Sequence, residues 1–120
     1  MKHVLIVEDN SLIAKMIGEY LYDSGFTSSD FAQTQDEAIY LAAKRVPDLI
    51  TSDDRLRQGS GVEAVRHICR NRAIPVVFVV ADSAHVQKAI PNAIFLLKPF
   101  SGESLESAIR TAENHPLILG

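Results

Sequence analysis

The chain alternates short, continuous apolar runs with longer stretches in which apolar residues recur every three or four positions. Runs of strand length fall at residues 4–7, 27–31, 76–80 and 93–97, and another leads into Asp53. The run at 27–31 is polar enough to suit a sheet edge. Capping residues mark the expected helix starts: Asn10 or Ser11, Thr34, Ser60, Asp82 or Ser83, and Ser101. This order predicts an α/β, (βα)5 fold, in which one doubly wound, five-stranded parallel sheet carries helices on both faces.

Three details of the helices and the C-terminus follow from the same pattern. The fourth helix should be short, because Pro91 and Asn92 end it after Ile90. Residues 115–120 should form a tail after the fifth helix. In the first helix, six apolar residues at i+4 spacing predict one wide buried stripe: Leu12, Ile13, Met16, Ile17, Tyr20 and Leu21.

Composition narrows the class of protein. A chain of 120 residues with 47% hydrophobic and 22% charged residues suits one folded domain over residues 1–120. The net charge of −3 gives no overall attraction to nucleic acid or to anionic membranes. The single cysteine, Cys69, excludes an intramolecular disulfide, lies on an apolar helix face and fits a reducing compartment. No apolar run is long enough to span a bilayer, and Met1 leads within two residues into a strand rather than a signal peptide. We therefore expect a cytoplasmic protein.

Candidate chemistry lies where predicted strands end. Glu8 and Asp9 follow the first strand, Asp53 ends the third, and Lys98 follows the fifth. Parallel strands bring their carboxyl ends to one edge, where α/β folds place ligands. Carboxylate oxygens that share a pocket describe a Mg2+ site, and a carboxylate such as Asp53 can act as a nucleophile toward phosphorus. Taken singly, the acids also suit capping or turn residues and the lysine suits a solvated loop charge, so the prediction depends on the combination.

That combination is similar, over the whole chain, to response-regulator receiver domains, the CheY-like family of two-component signalling. The matching motifs are Val4-Leu5-Ile6-Val7 with Glu8-Asp9-Asn10, Pro47-Asp48-Leu49-Ile50 leading to Asp53, Gly61, Pro75, and Lys98-Pro99-Phe100. The resemblance implies a flavodoxin-like receiver fold with strand order 2-1-3-4-5. It also implies a phosphorelay protein that catalyses only its own phosphorylation and dephosphorylation, and is not otherwise an enzyme.

The resemblance also implies roles for individual residues. Asp53 would be the phosphorylated residue, and Lys98 would contact the phosphoryl group after a cis peptide bond to Pro99. Glu8, Asp9, Asp53 and the backbone carbonyl of Arg55 would bind Mg2+. The phosphoryl donor would be a phosphohistidine on a histidine kinase or a histidine phosphotransfer protein, docked on the first helix around Ala14, Lys15 and Gly18 and on the loop at Phe100. The downstream protein target is not implied, nor is any direct contact with nucleic acid or membrane.

The sequence departs from the family at its switch and tuning positions. Val80 stands where the family has Thr or Ser, and Phe95, at the switch aromatic, also lacks a hydroxyl. A lost hydrogen bond to a charged group should cost about 1.5–3 kcal/mol. The stretch from Val80 to Lys98 is also shorter than usual by about one helical turn. At the tuning positions, Arg55 and Asp82 could pair across the pocket or remain separately solvated.

Two further readings remain open beside the phospho-accepting receiver. One is a pseudo-receiver, which binds proteins constitutively without switching, and Val80 and the short fourth helix favour it. The other is a small phosphatase or flavin-binding protein, which the absence of a cap domain and of a phosphate-binding loop after the first strand disfavours. Asp54, beside the acceptor, should point away from the acids by strand alternation. The histidines show no metal-ligand spacing and are expected to be surface or structural residues: His3, His67, His85 and His115.

Overall fold

Five parallel strands form one sheet in the order β2-β1-β3-β4-β5, which confirms the predicted fold and strand order. The computed structural model describes residues 2–120, so Met1 lies outside the described residues. The strands are β1 (His3–Val7), β2 (Ser28–Ala32), β3 (Leu49–Ser52), β4 (Val76–Val80) and β5 (Ile94–Leu97). The central position of β1 and β3 brings their carboxyl ends side by side at the point where the strand order reverses.

Helices cover both faces of the sheet. They are α1 (Ser11–Asp23), α2 (Gln35–Lys44), α3 (Gly61–Ile68), α4 (Ala84–Ala89) and α5 (Gly102–Asn114). Alternate residues of a strand point to opposite faces, so Val4 and Ile6 pack with α1 and α5 while Leu5 and Val7 pack with α2, α3 and α4. The two cores together bury the central strands on both sides, as their continuous apolar runs predict.

Local capping explains where the helices begin. The Asn10 side chain accepts hydrogen bonds from the first backbone N–H groups of α1. Thr34 and Ser60 each accept one from the residue three positions on, at the starts of α2 and α3. Ser101 caps α5 in a reciprocal box with Ser104, a partner that the sequence analysis did not single out.

The predicted stripe of α1 is too wide. Ile17 and Leu21 are buried, but Leu12, Met16 and Tyr20 are respectively 76%, 39% and 40% exposed. Only one side of α1 faces the sheet, and the other side has no covering element among residues 2–120. The spacing i, i+4 therefore identified the helix correctly but assigned too much of its circumference to the core.

The C-terminal tail predicted after α5 is present, and it is packed against the domain. Leu117 is 5% exposed and forms an antiparallel bridge with Ile74, just before β4. The Leu119 N–H donates to the Cys69 carbonyl, 2.8 Å away. Burial of the apolar side chain together with these backbone hydrogen bonds holds the segment across the end of one core.

Along residues 2–120, none of the helices combines the length and apolar character needed to cross a bilayer.

Candidate functional site

Three strands deliver the candidate side chains to one edge of the sheet. Glu8, Asp53 and Lys98 each directly follow the last residue of a strand. Each backbone N–H continues the pairing of the sheet, since Glu8 donates to the Ala32 carbonyl (2.8 Å), Asp53 to the Val7 carbonyl (2.9 Å) and Lys98 to the Val80 carbonyl (2.8 Å). The positions of these side chains are therefore fixed by the sheet itself.

The acids predicted from the sequence form a cluster. Carboxylate oxygens of Glu8, Asp9 and Asp53 all lie within 4.8 Å of one another. The Lys98 Nζ donates to Glu8 Oε1 at 2.7 Å and to Asp53 Oδ2 at 2.8 Å. The Lys98–Pro99 peptide bond is cis, as the family resemblance implied. Four residues from three distant parts of the chain thus meet at one place.

Burial and charge act in opposite directions on this cluster. The Glu8 side chain is 2% exposed, and its burial raises its pKa, with a further increase from the neighbouring charge of Asp53. The hydrogen bond from Lys98 partly offsets these effects. Burial alone would lower the pKa of Lys98, but hydrogen bonds to Asp53 and Glu8 and the two carboxylate charges outweigh it and raise that pKa. The lysine therefore stays protonated, and its positive charge balances the negative charge of carboxylates that are poorly solvated.

Hydrogen bonds within the turn after β3 fix the position of Asp53. The Asp54 N–H donates to Asp53 Oδ1 at 2.7 Å, and the Ser52 hydroxyl donates to the Asp53 carbonyl at 2.8 Å. The Gly61 N–H donates to the Asp54 carbonyl at 2.8 Å. A Cβ at Gly61 would overlap the Asp53 carbonyl oxygen and the Ser52 hydroxyl, so only glycine allows this close return of the chain.

Comparison with known proteins decides the family. Residues 4–110 match the family described as the response regulator receiver domain. The chain belongs to this family.

Individual relatives agree with this assignment of a receiver domain. The chain is 33% identical over 115 residues to the transcriptional regulatory protein PdtaR of Mycobacterium tuberculosis, covering 92% of this chain and 56% of PdtaR. It is 34% identical over 116 residues to the KDP operon transcriptional regulatory protein KdpE of Escherichia coli, covering 93% and 51% respectively. It thus spans about half the length of these relatives. The solution structure of the Erythrobacter litoralis PhyR receiver domain superposes with a TM-score of 0.83 at 26% identity, covering 96% of this chain and 92% of that one.

Val80 and Phe95, which the resemblance places at switch positions, lie in apolar surroundings. Val80 is 1% exposed, and Phe95 packs against the same core cluster, which also includes Val86 of α4 and Ile90 just after it. Neither side chain can donate a hydrogen bond to a phosphoryl group. Helix α4 has only six residues, in agreement with the short fourth helix that the sequence predicted.

The tuning residues of this receiver do not form the ion pair that the sequence left open. Arg55 and Asp82 are both exposed, and no salt bridge joins them. Asp82 instead accepts a hydrogen bond from the Ala84 N–H at 2.9 Å and so caps α4. Both residues nevertheless line a cavity of about 490 Å3 that Asp53 and Val80 also line. They flank Asp53 without binding each other.

Sequence reasoning missed the role of Asp54 and His85 in this receiver. Asp54 lies outside the acidic cluster, as strand alternation predicts, but it is only 8% exposed rather than solvated. Its Oδ1 accepts from the Val62 N–H at 3.2 Å, and its Oδ2 is 2.5 Å from His85 Nδ1. The available signal was a second acid directly beside the acceptor, which a turn residue explains equally well. By contrast His3, buried against Ser28 and Asp30, is a structural histidine.

Proposed function

We propose that this receiver accepts a phosphoryl group on Asp53 from a phosphohistidine donor and signals by protein contact. The observation that carries the proposal is the position of Lys98, whose ammonium bridges Glu8 and Asp53 inside the acidic cluster. Asp53 is reachable, with a side chain that is 15% exposed and lines an open cavity. A nucleophilic carboxylate beside a fixed cation is the arrangement that transfer of an anionic group requires.

The donor set also fits a magnesium ion. Three carboxylates converge at a sheet edge next to a cavity, and Mg2+ prefers oxygen ligands while keeping some of its water. We propose that Glu8, Asp9, Asp53 and the backbone carbonyl of Arg55 would hold it. When bound, Mg2+ would neutralise the acids and reduce their repulsion toward the incoming phosphoryl group.

The proposed transfer uses the residues in fixed roles. An Asp53 carboxylate oxygen attacks the phosphorus atom, the P–N bond to the donor histidine breaks, and the electron pair stays on the imidazole, which takes a proton. The product is an acyl phosphate on Asp53. The Asp54 N–H keeps the carboxylate oriented, and Lys98 can move from Asp53 Oδ2 to an oxygen of the phosphoryl group. The chain thus acts on its own side chain and not on a separate substrate.

Partners and location follow from the same proposal. A histidine kinase or histidine phosphotransfer protein would dock on the exposed side of α1, where Lys15 and Leu12 face outward, and near Phe100, which contacts Tyr20 edge to face at 6.3 Å. Ala14 is only 5% exposed, and it lines one surface groove together with Lys15 and Gly18. We propose that residues 1–120 act as one receiver unit in the cytoplasm, without direct contact with nucleic acid or membrane.

Intact-mass measurement tests the acceptor. The protein is incubated with Mg2+ and acetyl phosphate, or with a phosphohistidine donor, and should gain the mass of one phosphoryl group. Asp53→Asn should abolish the gain. The matched control Asp82→Asn removes an exposed carboxylate from the same cavity and should keep it. No gain with either donor, or a gain that survives in Asp53→Asn, would refute the proposal.

A second candidate function is a pseudo-receiver that binds its partner without switching. The apolar surroundings of Val80 and Phe95 favour it, because they remove the usual hydroxyl donors from the signal path. The discriminating measurement is the amide NMR spectrum before and after phosphorylation. Changes confined to the turn around Asp53 would support the pseudo-receiver, whereas changes that reach α4 would support a switch.

A further inference from the structure

The pair formed by Asp54 and His85 connects the acceptor turn to helix α4. Asp54 donates its N–H to Asp53 Oδ1, and its own carboxylate contacts His85 Nδ1. His85 is the second residue of α4, which also contacts the core through the buried Val86, through Ala89 and through Ile90 just after the helix. Two hydrogen bonds, joined through Asp54, therefore connect the Asp53 carboxylate to the first turn of α4.

A phosphoryl group in the cavity beside Asp53 would need hydrogen-bond donors, and some of the residues that line this cavity have none. The cavity is lined by Asp53, by the apolar side chains of Val80 and Ala81, and by His85. The exposed Arg55 also lines it, from the loop after β3 rather than from α4. Val80 offers no hydrogen, although a phosphoryl group on Asp53 would bring anionic oxygens into this space. The imidazole is 61% exposed but is held at one nitrogen by a carboxylate that is only 12% exposed. It is thus the polar group of α4 that borders the cavity and is already oriented.

We propose that His85, oriented by Asp54, donates a hydrogen bond to the phosphoryl group on Asp53 in place of the hydroxyl missing at Val80, and so links phosphorylation to α4. This inference rests on the proposed phosphorylation of Asp53.

The chemistry of the imidazole suits this role. Nδ1 donates to the Asp54 carboxylate, which can only accept. Nε2 can therefore donate to the phosphoryl group when the ring is an imidazolium, the form in which both nitrogens carry a proton. Phosphorylation converts the Asp53 carboxylate to an acyl phosphate and moves negative charge outward into the cavity. A ring that contacts this charge would link the first turn of α4 to the phosphoryl group, because His85 belongs to that turn. A hydroxyl at residue 80 could not do so, since that residue lies in the sheet.

Beryllium fluoride, which forms a phosphoryl mimic on aspartate with Mg2+, provides the probe. Its affinity is measured by titration for the wild type, His85→Ala and His85→Gln, with Gln87→Ala as a control for an exposed residue of the same helix. His85→Ala should weaken the binding about tenfold or more, as expected for a lost hydrogen bond to a charged group. His85→Gln keeps a donor near the position of Nε2 and should recover part of the affinity, and Gln87→Ala should match the wild type.

Amide and imidazole NMR spectra provide the second readout. In the wild type, the probe should shift the ring nitrogens of His85 and the amides of α4, and His85→Ala should lose the α4 shifts while keeping those around Asp53. Two results would overturn this inference while leaving the proposed phosphorylation intact. One is a His85→Ala variant that keeps both the wild-type affinity and the α4 shifts. The other is a wild-type protein in which the probe leaves the His85 ring signals unchanged. If the wild type binds no probe and takes no phosphoryl group, the proposed function fails as well, so the two failures are distinguishable.

Discussion

Replacement of Lys98 by methionine tests whether the acids at the sheet edge depend on one cation. The Lys98 ammonium lies 2.7 Å from Glu8 Oε1 and 2.8 Å from Asp53 Oδ2. Methionine keeps much of the apolar stem but removes the charge and both hydrogen bonds. In the absence of a divalent ion, Lys98→Met leaves two neighbouring carboxylates, one of them almost fully buried, without a counter-charge.

The expected loss of stability follows from the burial of the three groups. Breaking a buried ion pair by removing one partner costs about 3–5 kcal/mol. The Lys98 and Asp53 side chains are 18% and 15% exposed, so water screens part of the interaction. We therefore expect the free energy of unfolding to fall by about 2–3 kcal/mol, which in a domain of this size lowers Tm by about 10 °C.

The pH dependence of this loss has a defined sign. Folding raises the pKa of Lys98, so its contribution is fully present below the ordinary lysine pKa of 10.5. The contribution disappears as the pH rises through the raised value, where the ammonium loses its proton in the folded state. The difference between wild type and Lys98→Met should therefore be large at neutral pH and small in strongly alkaline solution.

Urea unfolding with EDTA and with Mg2+ is the assay. A ligand at a hundred times its Kd adds about 2.7 kcal/mol to the free energy of unfolding. The metal should stabilise Lys98→Met more than the wild type, because it no longer competes with the ammonium for the same carboxylates. Lys88→Met, which removes an exposed lysine from α4, is the control and should change little. The reasoning would be refuted if the free energies of unfolding of wild type and Lys98→Met differed by the same amount with Mg2+ as with EDTA.

Three other substitutions and reagents examine the surroundings of the site. Gly61→Ala should lower the free energy of unfolding by about 3 kcal/mol, because its Cβ would overlap the Asp53 carbonyl, and an unchanged urea midpoint would contradict the packing. Val80→Thr adds a hydroxyl beside the cavity and should tighten beryllium fluoride binding about tenfold; equal affinity would show that this position does not reach the phosphoryl group. Burial raises the pKa of the Cys69 thiol to about 11, so thiol reagents at pH 8 should label it only as fast as the protein unfolds, and rapid labelling of the native protein would disprove that burial.

The helices and strands could be predicted from the sequence because their determinants are local, whereas the strand order came from the family resemblance. Asn10 and Ser60 cap the helices that they were expected to cap, and continuous apolar runs identified strands buried on both faces. How much of a helix surface is buried depends on which other elements pack against it, and the local sequence does not show this. Leu12 and Met16 repeat with the period of a core face, yet they are exposed because no other element covers that side of α1 within residues 2–120.

The main site could be predicted for a related reason. Glu8, Asp53 and Lys98 follow strand ends, and the strand order of the sheet alone brings these ends together. The contact between Asp54 and His85 depends instead on the path of a turn and on the placement of a short helix, 31 positions along the chain. Neither residue lies at a position fixed by the sheet pairing, so sequence reasoning had no means of joining them.

The charge balance of the site constrains how a signal could leave it. Without phosphate, Lys98 holds Glu8 and Asp53 together from within the cluster. An acyl phosphate would move negative charge outward, away from the buried Glu8 and toward a cavity whose β4 wall is apolar at Val80. An apolar wall cannot change its hydrogen bonds when charge arrives, so the response must come from polar groups elsewhere on the rim. If the proposed phosphorylation holds, this chemistry favours a signal that passes through the side chains of the loop and of α4 rather than through the sheet and Phe95.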